Sequence, residues 1–61
     1  DESLYAELWC RKGEMNTDLG QTDEALNDYL NCFDWAEGNP ALLDLRDEAA
    51  ARIQILQEIQ E

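Results

Sequence analysis

The chain has no histidine and only four basic residues, Arg11, Lys12, Arg46 and Arg52, against fifteen acids, for a formal charge of -11 over 61 residues. Without histidine there is no Cys–His nucleophile pair and no histidine metal ligand. So few cations, spread out, exclude a phosphate-backbone footprint, which requires clustered Lys and Arg. They also argue against anionic membrane surfaces. No apolar run approaches the ~20 residues of a membrane span. No basic-then-apolar leader opens the chain, and a cytoplasmic location is the expectation. Gly13, Gly20 and Gly38 are isolated, so no glycine-rich phosphate loop exists. The alternating Asp/Asn pattern of a calcium loop is missing as well. Adjacent acids such as Asp23–Glu24 and Asp47–Glu48 point in different directions on a helix. Neither catalysis nor a metal or other cofactor is expected.

What remains is a short, acidic chain that makes one domain at most. A core this small contributes only a few kcal/mol net, on the order of what a staple or a partner must supplement. The acidity favours basic partners, or is simply the solvated exterior of helices.

Periodicity predicts three helices, at 4–19, 22–37 and 40–60. The first begins after Ser3 as N-cap, and its Leu4, Leu8, Met15 and Leu19 share one face. Gly20 follows as the left-handed terminator. Thr22 caps the second helix, with Asp23 and Glu24 in its first turn, where the helix dipole favours negative charge. Its apolar face is Ala25, Leu26, Tyr29, Leu30, Cys32, Phe33 and Ala36, and Gly38 is the stop. The short connection makes the first two helices antiparallel. Asn39 and Pro40 restart the chain as N-cap and first helical residue. Leu42, Leu45, Ala49, Ile53, Leu56 and Ile59 then form an amphipathic stripe, expected to cover Leu26, Leu30 and Phe33. Leu43, Ala50 and Ile55 lie off it, as scattered surface residues or the rim of a second contact face. The fold class is therefore all-α, an antiparallel hairpin followed by a C-terminal amphipathic helix, in a single domain.

The segment from Ala6 to Pro40 resembles one tetratricopeptide repeat, a helix–turn–helix unit of about 34 residues. Trp9 stands at the helix-A tryptophan, Gly13 at its small residue, Gly20 at the turn glycine. Ala25 and Tyr29 match the small and aromatic positions of helix B, and Cys32 takes its second alanine. Phe33 and Trp35 take two following apolar positions. Lys12 replaces an expected leucine, Asn16 a usual aromatic, and Pro40 comes about three residues late. No second copy lies within the chain. The resemblance implies that the third helix is a solvating cap of the kind that ends such arrays. It also implies that ligands lie along helix A, at Glu7, Cys10, Glu14, Thr17 and Asp18. The alternative for these five is a solvated helix face. The subset of such repeats that grips C-terminal carboxylates uses Lys and Asn where Cys10 and Glu14 stand here, so that activity is not expected.

Cys10 and Cys32 each lie eleven residues from Gln21 at the hairpin turn, which sets them at one height on antiparallel helices. They form a disulfide if their Cα atoms approach within ~7 Å. Otherwise they are two reduced thiols packed as small apolar residues. The second reading is the one the resemblance supports, since Cys32 takes an alanine position. Trp35 is expected against the third helix, or exposed as an interface anchor.

The function expected is protein–protein interaction, as an adaptor or one piece of a longer helical array, with a basic or mixed-charge peptide as partner. One alternative is a structural or model protein, natural or designed, whose only property is folding or self-association as a homo-oligomer. Another is an acidic inhibitor that mimics nucleic acid. Binding of nucleic acid or membrane is not expected.

Overall fold

In the computed structural model, which describes residues 2–60, three helices follow one another: α1 (Glu2–Asp18), α2 (Thr22–Glu37) and α3 (Leu43–Gln60). A 3-10 turn over Pro40–Leu42 precedes α3. The fold is all-α, and α1 and α2 form the antiparallel hairpin. α2 lies in the middle and packs on both α1 and α3, which meet each other only marginally. The result is a slab of 32 × 17 × 13 Å, with two broad faces open to solvent. Few side chains are therefore fully enclosed.

The α1–α2 turn is a Schellman motif. The Gly20 N–H donates to the Thr17 carbonyl at 3.1 Å, and the Gln21 N–H to the Asn16 carbonyl at 2.8 Å. The motif needs a left-handed residue, and Gly20 supplies it at φ 77. Ser3 and Thr22 are not caps, because both already lie inside their helices. α2 starts from Gln21, whose side chain makes no capping bond. Gly38 ends α2 in a right-handed conformation, φ -80. The break is made instead by Asn39, extended at φ -129 and ψ 110 before proline, whose Oδ1 accepts from the Ala41 N–H at 3.0 Å. That geometry winds the first three residues of the predicted third helix as a 3-10 turn.

The core is built of small residues. Ala6, Cys10, Ala25, Tyr29, Cys32, Ala36, Ala49 and Leu56 are buried, with Trp9, Leu26, Phe33, Leu45 and Ile53 packed against this set. Tyr29 is the bulky member, and its ring lies on Gly13. A Cβ built on Gly13 would sit 2.7–2.8 Å from three ring atoms, inside van der Waals contact. Cys10 and Cys32 are joined by a disulfide, with Cα atoms 5.3 Å apart. This corrects the reduced-thiol reading: both positions are small and buried, but they face each other across the hairpin.

α1 buries its small residues and not its line of large apolar ones. Ala6, Cys10 and Gly13 turn inward, whereas Leu4, Leu8, Met15 and Leu19 are 58%, 56%, 64% and 68% exposed. At 3.6 residues per turn the centre of the leucine line lies roughly 150° around the helix from Cys10 and Gly13. Both sets are periodic, and only one can meet α2. Along α3, Leu42, Leu45, Ala49, Ile53 and Leu56 turn toward the core, but Ile59 is exposed, as is Leu30 on α2. Among the described residues no fourth element covers them.

Gly13→Leu should destabilise the protein by at least ~1–3 kcal/mol through overpacking against Tyr29, read by chemical denaturation; an unchanged midpoint would place the helix contact elsewhere. The disulfide closes a loop with sequence separation 22, worth about 3 kcal/mol in chain entropy. Reductant should therefore lower the melting temperature, and thiol titration of the unreduced protein should find no free cysteine.

Candidate functional site: the exposed faces of α1

Four groups of side chains radiate from α1. Toward the broad face shared with α3, Glu14, Thr17 and Asp18 line an open hollow of about 220 Å³ with Tyr29 and Arg52. Thr17 Oγ1 donates to the Gly13 carbonyl at 2.7 Å, which fixes it at the rim. Tyr29 is the floor. Burial pushes its hydroxyl above the ordinary phenol range; Arg52 pulls it down, Glu14 raises it, and a Thr17 hydrogen bond and Glu48 act as smaller opposing influences. Three of the five residues marked on helix A thus come together here. Cys10 does not join them, because it is buried in the disulfide and has no surface to offer a ligand.

Glu7 stands further along the same side of α1, at the edge of a shallow hollow with Leu4, Leu8 and Arg11. Arg11 donates to Glu7 Oε1 at 2.6 Å. Both are exposed, so this i,i+4 pair contributes about 0.3–0.5 kcal/mol and mainly neutralises the arginine locally. Glu7, Glu14 and Asp18 lie within one narrow angular sector of the helix. Beside them runs the exposed line of Leu4, Leu8, Met15 and Leu19. The acids therefore form a ridge between the Tyr29 hollow and an apolar stripe.

The opposite broad face carries a polar cluster that periodicity alone does not reveal. Asp28 of α2 is only 4% exposed. Asn16 Nδ2 donates to its Oδ2 at 2.6 Å, and Lys12 Nζ lies 4.0 Å from its Oδ1. The same ammonium sits 4.6 Å from the centroid of the Trp9 ring, a cation–π arrangement. Lys12 and Asn16 are two of the departures from the repeat pattern, and they are the sequence signal for this cluster. Lys12 and Asn16 of α1 are the two polar partners of this buried carboxylate from α2.

Trp35 packs on α1. Its ring centroid lies 5.2 Å from that of Tyr5, tilted by 31°. Both rings remain exposed, which leaves a small aromatic surface where α1 begins and α2 ends. Trp9, Ala25 and Tyr29 serve packing. Among the described residues, no three His, Cys, Asp or Glu side chains converge as metal ligands. No described helix is long and apolar enough to cross a membrane. What α1 offers is charge and apolar contact.

Tyr29 supplies a pH test. Its folded pKa is raised, so the folded state holds the phenol proton more tightly than the unfolded chain. The corresponding stability is complete below the ordinary value of about 10 and is lost as pH rises through the folded pKa. Phenolate absorbance should show a component titrating above that value, which Tyr29→Phe removes. A titration with no raised component would mean that the hydroxyl is not enclosed.

No family model matches the chain, and no curated protein or solved structure shows a significant likeness to it.

Proposed function

We propose that this domain is a protein-interaction module, acting alone or as one unit of a longer helical array, that binds a basic or mixed-charge segment along the exposed side of α1. The observation that carries the reading is the adjacency of the Glu7–Glu14–Asp18 ridge to the Leu4–Leu8–Met15–Leu19 stripe. Monomeric surfaces seldom align large apolar side chains in this way without a use for them. Covering what remains exposed of each is worth about 1 kcal/mol. Exposed ion pairs add only ~0–1 kcal/mol each, so charge acts mainly on association rate and salt sensitivity. The tetratricopeptide resemblance accords with a helical interaction scaffold and remains part of this proposal.

A second reading, self-association, draws on the spacing of the stripe. Leu4 and Leu19, and Leu8 and Met15, lie symmetrically about the midpoint between Arg11 and Lys12. Two antiparallel copies of α1 would therefore match large residue to large residue. The same two-fold, however, brings both acidic ridges onto one flank, between chains that each carry -11. The salt dependence separates the readings: binding of a basic segment weakens with salt, whereas pairing of like-charged copies strengthens.

The experiment reverses Glu7, Glu14 and Asp18 to Lys and measures binding to peptides selected from an unbiased library on the unaltered protein. Affinity should fall by on the order of tenfold or more, with the salt dependence lost or inverted. Unchanged affinity and unchanged salt dependence would move the binding surface elsewhere, to Trp35 and the outer side of α3.

A further inference from the structure

We infer that the segment taken up by α1 is an amphipathic helix, packed side by side with α1 as a fourth helix, its apolar residues on Leu4, Leu8, Met15 and Leu19 and its Lys/Arg flank on Glu7 and Asp18. This rests on the interaction reading above and gives its partner a conformation and a chemistry.

Three features of α1 point there. The stripe runs the length of four turns, about 22 Å from Leu4 to Leu19. It is made of two i,i+4 pairs, Leu4–Leu8 and Met15–Leu19, which are ridges of the kind that a second helix receives in its grooves. An extended chain crossing the same length places side chains about 6.6 Å apart on one face, which does not match a gap of seven residues, roughly 10 Å, between Leu8 and Met15. A helix with apolar residues at the same intervals matches it throughout. Leucine with one methionine also leaves the seat adaptable in detail.

Charge then selects the partner. Both cations of α1 are engaged within the chain, Arg11 by Glu7 at 2.6 Å and Lys12 by Asp28 at 4.0 Å over the Trp9 ring. With the Arg11–Glu7 pair cancelling, Glu14 and Asp18 leave the border presented to a neighbour net negative. A flank of Lys and Arg complements it, and an acidic flank, including that of a second copy, is repelled. Because the four apolar residues are more than half exposed, they are free to bind without any rearrangement of the core.

The probe is a synthetic peptide of about eighteen residues, roughly five turns, with leucines at the α1 intervals and lysines along one flank. A scrambled peptide of the same composition is the control. Both are titrated against the unaltered protein, Leu8→Asp/Met15→Asp and Glu7→Lys/Asp18→Lys, with thermal melting to show that each variant stays folded. The patterned peptide should bind at least ~tenfold more tightly than the scramble, gain helicity on binding, and lose at least that factor on Leu8→Asp/Met15→Asp. Equal binding of the two peptides, or an unchanged affinity for Leu8→Asp/Met15→Asp, overturns the helix. If Glu7→Lys/Asp18→Lys then still weakens both peptides, the interaction reading survives without it; if that variant also changes nothing, both fall. A dimer in sedimentation that Leu8→Asp/Met15→Asp dissolves would assign the stripe to a second copy and likewise overturn the proposal.

Discussion

The close approach of α1 to α2 is the constraint on which the rest of this structure depends. It is set at two points, the Tyr29 ring lying on Gly13 and the bond between Cys10 and Cys32. Each requires a small residue on α1 to face α2. Once Ala6, Cys10 and Gly13 are turned inward, helical geometry turns Leu4, Leu8, Met15 and Leu19 outward. The interaction surface is thus a consequence of how the hairpin is closed. A hairpin closed by leucines would have buried that stripe and shown solvent a row of small residues.

The same closure organises the charge. α1 sets Lys12 and Asn16 against the buried Asp28, so the carboxylate does not remain an isolated charge in a small core, which would be costly. In doing so it engages one cation of α1, and Glu7 engages the other. On the far side, Glu14 and Asp18 remain around the Tyr29 hollow with Arg52. One helix therefore separates a neutralised polar face from an acidic ridge, and the apolar stripe lies beside that ridge.

Much of the architecture was legible in the residue order, because local chemistry decides it. Gly20 marks its turn by a backbone conformation that side chains disfavour, and Asn39-Pro40 marks the next by its geometry and a missing N–H. The orientation of α1 was not legible in the same way. Its larger residues form the stronger periodic line, and burial of large residues is the usual outcome. Here a covalent bond and a backbone contact outweigh it, and neither is written in the spacing of α1 by itself. Two clues were available: Gly13 at the small helix-A position of the repeat resemblance, and the equal distance of Cys10 and Cys32 from the turn. Glu7, Cys10, Glu14, Thr17 and Asp18 were assigned to an exposed side of α1 through the repeat resemblance, and Cys10 turned out to be buried. Tyr29 and Arg52, which complete the hollow, come from other helices, and so does Asp28. Only the departures at Lys12 and Asn16 hinted at that buried acid.

The disulfide and the Gly13–Tyr29 contact, rather than the large apolar residues of α1, hold that helix in place. Residue-resolved amide hydrogen exchange before and after reduction tests this most directly. Reduction should cost the amides of α1 more protection than those of α2 and α3, which share Leu26, Phe33, Leu45, Ile53 and Leu56. Undiminished protection across α1 in the reduced protein would contradict the claim and show that other contacts anchor the helix.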